Sequence, residues 1–561
     1  MAEYDFIIVG SGPSGSTIAS RLARSSKAPS VLLLEAGGPN ADREIMLLPE
    51  RFLTAFVRPE MNWGYKTAPQ EVLENRSIDF DRGKGLGGSS AVNFCCWTTG
   101  PNEDYDQWAR IVGDDTFNSE NSRRRLKKIE RFNTKVRPEY QPYATVDPAI
   151  HGTSGSIDIE FGQLWDPPLT KTLDAINSSG YDRNLDINSG NPLGIGINPA
   201  TARNSLRCTA RVAFLTDPPS NLAIRTDSPV TKLVFEEKRT IGVIANEKTY
   251  KAKNEVIVCA GALDSPKLLL LSGIGPKDEL AVHGIESVYD LPGVGKNLQD
   301  HPIMFMSMQA RDGFDNHAAL FTDARAHAAA REQLFKDGSG PLASIYAMII
   351  MGFYKNEALF ETAEFKALPA STQARILSPT SPTGELMACM APLPHANKDR
   401  SYITLCASGM AVQSRGAVTL ASTNPQDPPV CDPKMLTHPW DRLNWVDNVK
   451  RLHAFFAIPD IAKETVAPFH VPESASDEDI WTFTKKFTGS TWHMSSTVMM
   501  GKDVDEMACV DTRFKVKGVE GLRVADMSVT PFVPSCHTVA WAYQIGEIAS
   551  ERLIEEYGLE G

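Results

Sequence analysis

The stretch Phe6-Ile7-Ile8-Val9-Gly10-Ser11-Gly12-Pro13-Ser14-Gly15 decides how the rest of the chain is read. Four apolar residues form a run of strand length, glycines interrupt it, and Ile18-Ala19-Ser20-Arg21-Leu22-Ala23 follows at helical spacing. Strand, glycine turn and helix in that order form a dinucleotide-binding pattern. Gly10 serves the tight turn, Gly12 lets backbone approach a pyrophosphate, and Gly15 lets helix pack against strand. The helix N-terminus then receives the phosphate charge. A second strand, Val31-Leu32-Leu33-Leu34, ends at Glu35, 20 residues beyond Gly15. A carboxylate there accepts hydrogen bonds from a ribose 2′-hydroxyl and disfavours a 2′-phosphate. FAD and NAD both present an ADP half to this motif, so the motif alone leaves the two open.

Working outward, 561 residues exceed the roughly 250–300 at which one hydrophobic core stops growing, so at least two domains are expected. The net charge of -12 is spread over both signs, which argues against nucleic acid and anionic membranes as partners. The longest apolar run, Ile345–Phe353, falls far short of the roughly 20 residues that span a bilayer. The chain enters its first strand within a few residues of Met1, leaving no room for a signal peptide, so a cytoplasmic protein is expected. Nine cysteines lack CxxC spacing, and Cys95 and Cys96 are adjacent; neither a disulfide framework nor a metal site is suggested.

A second glycine cluster, Gly83-Lys84-Gly85-Leu86-Gly87-Gly88-Ser89-Ser90-Ala91-Val92-Asn93, has neither helical nor strand periodicity and can lay backbone N–H groups along a phosphate or a flavin edge. With Trp97, Gly100 and Asp106 behind it, it resembles the first signature of the glucose-methanol-choline (GMC) oxidoreductase family. Gly261-Ala262-Leu263-Asp264-Ser265-Pro266, following the strand Val256-Ile257-Val258-Cys259 and opening an apolar helix, resembles the second. Blocks at Asn62–Thr67, Val294–His301 and Leu522–Asp526 are similar too, so the resemblance runs the length of the chain, thinning between about 305 and 400.

The resemblance implies an α/β fold: a Rossmann-like FAD-binding domain with a second α+β substrate domain built on an antiparallel sheet. The FAD-binding domain is expected over 1–157, 202–303 and 505–561, and the substrate domain over 158–201 and 304–504. Gly87, Ser89, Asn93, Val230, Asp526 and Thr538 match cofactor-contacting positions. Where choline-oxidising relatives carry a histidine bonded to the flavin, this chain has Val92, which implies noncovalent FAD.

Alcohol oxidation by a flavin requires a base for the hydroxyl proton and a second polar group near the same carbon, and histidine suits both duties. His493, in Ser490-Thr491-Trp492-His493-Met494-Ser495-Ser496-Thr497, resembles the family's catalytic histidine, and His537, after Pro534-Ser535-Cys536, stands where the second catalytic residue belongs. His493 is expected as general base and His537 as hydrogen-bond partner of the substrate oxygen; His301, His453 and His470 are expected to be ordinary histidines. Ser496-Thr497 replaces a Gly-Thr common in relatives. Trp492, Phe94 and Trp97 are expected to line the substrate pocket and favour an aryl or otherwise apolar primary alcohol. Residues Ser339–Tyr354, with Tyr346 and Met348, are assigned to the substrate domain. The expected activity is oxidation of an alcohol to the aldehyde, with O2 or another acceptor reoxidising the flavin. The competing expectation is a non-redox, FAD-containing lyase or cyclase of the same family. Oligomeric state is not legible in the sequence.

Overall fold

The computed structural model describes every residue except 1, 43–57, 163, 166, 315–319, 321, 344–349, 390–392, 394, 398 and 561. Tyr346 and Met348 lie outside the described residues. The chain opens with β1 (Ala2–Val9), α1 (Pro13–Ala23) and β2 (Val31–Leu34). Phe6–Val9 and all of β2 are buried, which explains why their apolar runs show no alternation: a parallel strand with both faces covered has no solvent side.

Four further strands complete most of this sheet: β3 (Leu222–Arg225), β4 (Val230–Glu236), β5 (Arg239–Ala245) and β6 (Lys248–Val258). The order is β3-β2-β1-β6-β5-β4, with Leu522–Val524 added beside the C-terminal half of β6. Pairings among β3, β2, β1, β6 and Leu522–Val524 are parallel, while β6-β5-β4 is an antiparallel meander. β4 starts only at Val230, because Asp227 and Ser228 donate their N–H groups to Gly37 O and Glu35 O and hold a turn there. β6 leads through Gly261, at φ +88°, into α2 (Gly261–Leu271), the strand-turn-helix expected from the sequence.

A second, wholly antiparallel sheet contains β7 (Pro302–Ala310), β8 (Ile350–Tyr354), β9 (Gly384–Cys389), β10 (Tyr402–Gly409) and β11 (Thr465–His470), in the order β8-β9-β10-β7-β11. A helix over Pro439–Phe455 packs on it, burying Trp440 and Trp445. The fold is therefore a Rossmann-type parallel sheet joined to an antiparallel one. The start of β7 also pairs with Gly489–Ser490, which brings the chain around residue 300 beside the chain around residue 492. No helix among the described residues is long and apolar enough to cross a membrane.

Candidate active site

Two cavities meet end to end, sharing Pro13, Arg82, Ser89, Met527 and Ala542 in their walls. The first is a backbone-built cradle. α1 begins at Gly12 with no side-chain cap and no acidic residue in its first turn, so its N–H groups face a wall that also carries Gly10, Gly12 and Ser14. A Cβ on Gly12 would meet nothing within 4 Å, leaving space for a ligand against the backbone. A Cβ on Gly10 would lie 2.5 Å from Cys259 O, and one on Gly15 would lie 2.0 Å from Gly10 O. Glycine at those two positions is required by the protein's own packing. Glu35, Val230, Gly261 and Asp526 complete the cradle, with Asp526 accepting from Gly261 N at 2.8 Å and from Ser265 Oγ.

The second cavity has an apolar wall formed by Val92, Phe94, Ile303, Trp492 and Val539, with His493 and His537 set into it. Their rings lie 4.8 Å apart between centroids at 75°. The Trp492 backbone sits at φ +58°, an unusual value for a bulky residue, and is held there by Arg82, whose Nη1 donates to Trp492 O at 2.6 Å. The His493 N–H donates to Asp300 Oδ1 at 2.8 Å, and Asp300 also accepts from the Ser490 hydroxyl. His537 is fixed by its own N–H donating to Thr98 Oγ1, while the Ser535 N–H donates to the buried Asp104 carboxylate.

Each catalytic candidate has a partner from the antiparallel sheet region. His301, just before β7, brings its Nδ1 within 3.0 Å of His493 Nδ1. Glu385, in β9, places Oε1 2.9 Å from His537 Nε2. Burial, then the neighbouring His537, His301 and Arg82, holds His493 well below the usual histidine range. Burial, then His537 and Arg375, pushes His301 down to about 3. Burial also raises Asp300 to about 7, against its hydrogen bonds from Ser490 and His493. His493 is therefore a neutral ring in a fully covered site.

Two GMC oxidoreductase family profiles match residues 4–303 and 412–546. The chain belongs to the GMC oxidoreductase family. It is 30% identical to an alcohol dehydrogenase [acceptor] of Pseudomonas putida over 99% of this chain and 96% of that one. Among solved structures it is similar to a formate oxidase, with TM-score 0.89 and 26% identity over 99% of both chains. It is also similar to a fungal aryl-alcohol oxidase, with TM-score 0.86 and 25% identity over the whole of both. The protein is thus an FAD-binding oxidoreductase acting on alcohols or related substrates.

The two cavities of this GMC oxidoreductase fit FAD: the first has open space against Gly12, an uncapped helix N-terminus there and Glu35 just after β2, and the second has an uncapped helix N-terminus at Thr538. Among the residues singled out from sequence, Gly10, Gly12, Glu35, Val230 and Asp526 line the first cavity. Asn93, Phe94, Trp492, His493, His537 and Thr538 line the second, and Ser89 lines both. Gly87 lines neither; its N–H donates to Ser11 O, joining the two glycine loops. Glu35 performs a similar service, accepting from Ser11 N, Ser11 Oγ, Gly37 N and Gly85 N. A ribose hydroxyl at Glu35 would share an oxygen already in use, Oε1 by Gly37 and Gly85 or Oε2 by Ser11.

Trp97 requires a correction. It does not line the substrate cavity: it is fully buried in the main core, its Nε1 donating to Glu130 Oε1 at 2.9 Å. The chain turns sharply at Cys95, φ +59°, and sends Phe94 and Trp97 to different sides. Conversely, the sequence reading missed His301 and Glu385. His301 lay inside a family-like block but was treated as ordinary. The one local signal for Glu385 is a carboxylate in the otherwise uncharged strand Gly384-Glu385-Leu386-Met387-Ala388-Cys389.

Proposed function

We propose that this enzyme oxidises a primary alcohol carrying an aryl or otherwise apolar group to the aldehyde, using noncovalently bound FAD. The observation that carries this reading is the convergence of two histidine rings on one cavity whose remaining wall is largely apolar. Phe94 and Trp492, with ring centroids 6.1 Å apart, offer an apolar and aromatic surface that suits an unsubstituted or aromatic chain better than a polyol.

Bound FAD supplies the two-electron acceptor for the hydrogen lost from the carbinol carbon. The residues supply everything else. Gly10, Gly12, Glu35, Val230, Gly261 and Asp526 would hold the dinucleotide, and Ser89, Asn93 and Thr538 the ring end. The apolar wall excludes water and orients the substrate with its hydroxyl toward His493 and His537. The two rings together take the hydroxyl proton and hold the oxygen by a hydrogen bond. Val92, at the cavity wall, offers no nucleophile to bond the flavin. Among the described residues, Cys95, Cys208, Cys259, Cys431, Cys509 and Cys536 are buried free thiols, which fits a cytoplasmic setting.

The test is anaerobic addition of aryl, aliphatic and sugar alcohols to the yellow protein, followed by air. Loss of the oxidised-flavin band with aryl or aliphatic alcohols supports the reading. Rapid return of colour in air identifies O2 as the acceptor, and slow return another acceptor. No bleaching by any alcohol overturns it in favour of non-redox chemistry. Acid precipitation that leaves flavin attached to the protein pellet overturns the noncovalent assignment.

A further inference from the structure

Resting on that reading of the cavity as an alcohol site, we infer that Arg375 is a positioning residue: through the buried Asp104 carboxylate and the Phe532 ring it fixes the segment 532–537, and so sets where the His537 ring stands in the cavity. Arg375 lies in the stretch between about 305 and 400 where family resemblance thins, so no sequence block marks it.

Residues 531–537 belong to no helix or strand, and Pro531 and Pro534 carry no N–H. Such a segment takes its place from the groups that bond it. Among the described residues, three side chains accept from its backbone: Gln299 Oε1 from Val533 N at 3.1 Å, Asp104 Oδ2 from Ser535 N at 2.6 Å, and Thr98 Oγ1 from His537 N at 2.8 Å. Of these three acceptors Asp104 is the acidic one, and it is fully buried in the first turn of the helix Asn102–Val112. A carboxylate so placed needs an opposite charge to offset its desolvation.

Arg375 supplies that charge. It sits on the helix Ala370–Leu377, in the connection from β8 to β9, and its Nη1 lies 3.2 Å from Asp104 Oδ1. The two side chains are 7% and 0% exposed, so water and salt screen the pair little. The same guanidinium lies over the Phe532 ring, its carbon 5.0 Å from the centroid. Just beyond this helix, the Thr380 hydroxyl donates to Glu103, the residue before Asp104. Arg375 therefore grips the segment twice, at Phe532 directly and at Ser535 through Asp104, and the second grip falls two residues before His537. The Asp104 oxygens are divided between the two duties, Oδ1 toward Arg375 and Oδ2 toward Ser535. Without Arg375 the carboxylate would have to turn, draw in water or take up a proton, and each of these changes the bond that places Ser535.

The test compares the FAD-loaded enzyme with its Arg375→Ala variant, each rate being expressed per bound flavin. Flavin reduction at saturating alcohol should slow about 30-fold in the variant, with KM changed less than about threefold, because the group displaced acts on the reacting hydroxyl and not on the apolar wall. Guanidinium chloride at roughly 20 mM should restore at least about fivefold of that loss by refilling the place beside Asp104, and sodium chloride at the same concentration should restore none. A salt bridge that serves only the fold would lower flavin content and the unfolding midpoint while leaving the rate per bound flavin in place. A rate within about threefold of the unmodified enzyme, or one that guanidinium does not raise, overturns the inference. Where Arg375→Ala fails to retain FAD, Arg375→Lys carries the test: it keeps the charge but not the planar fork, and is expected to be about five- to tenfold slower, a rate within about twofold overturning the inference. If no alcohol reduces the unmodified enzyme, it is the proposed function that fails. Hydrogen exchange then decides the inference alone: the Ser535 and His537 amides should exchange at least about tenfold faster in the variant, with those of β1 and β6 unchanged, and unaltered exchange at Ser535 overturns it.

Discussion

His151 and His493 are both buried histidines in hydrogen-bonded contact with another titratable side chain, yet the first is held as a cation and the second neutral. Burial opposes a cation at His151 too, but hydrogen bonds to Asp186 and Glu130 override it and push His151 up to about 9. Its Nδ1 is 2.9 Å from Glu130 Oε2 and its Nε2 is 3.2 Å from Asp186 Oδ2. His493 meets a second imidazole instead, with Arg82 and His537 nearby, and is held neutral. The lesson is that burial sets the penalty for charge, and the number of carboxylates touching the ring decides whether the penalty is met. One region is a structural clamp and the other a reaction site for that reason.

The comparison can be broken from either end. The largest effect is expected in acid. His301 is pushed down to about 3, so the stability it contributes is fully present above the unfolded value near 6.5 and is lost as pH falls toward 3. The loss is on the order of 5 kcal/mol over that window. His301→Asn, which does not titrate, should flatten this limb in denaturant unfolding measured across pH; an unchanged limb would sink the assignment. Next comes Glu130→Gln. It removes one carboxylate from His151 and weakens the acceptor for Trp97 Nε1 and Gly152 N, at a cost of about 3–5 kcal/mol. A change below about 1 kcal/mol would mean the clamp is not ionised.

The alkaline side is smaller. His151 is raised in the folded state, so its contribution is fully present below about 6.5 and disappears as pH rises through about 9. Roughly 3 kcal/mol should be lost there by the unmodified protein and not by His151→Gln. Parallel curves for the two proteins would refute a charged His151. The smallest effect concerns the apolar wall that keeps His493 dry. Phe94→Leu should raise KM for an aryl alcohol about fivefold, roughly 1 kcal/mol, with little change for a short aliphatic one. Equal effects on both would argue against aromatic packing at Phe94.

Legibility followed the range of the interactions. β1, the glycine turn, α1, β2 and Glu35 could be read directly because each residue's role is set by neighbours within one supersecondary unit. The antiparallel sheet was expected only through family resemblance, since its strands are separated by long connections and carry no common motif. Trp97 was misread because, like Phe94, it follows the glycine loop closely in sequence, whereas the fold buries it in the main core against Glu130. Glu385 was invisible as a functional residue, since its partner lies 152 positions away.

The sequence by itself determined a backbone-built cradle. Gly10 and Gly15 are demanded by contacts within the motif and its adjoining strand, while Gly12 leaves open space beside α1. Its periodicity fixed the strands that carry them, and its family blocks marked His493 and His537. Only the tertiary structure decided what those histidines can do. β7 and Gly489–Ser490 must pair before His301 can reach His493, 192 residues away, and β9 must join its sheet before Glu385 can reach His537. A glycine's role follows from backbone sterics, which are local. A histidine's proton position follows from the partners that folding sets against each ring nitrogen.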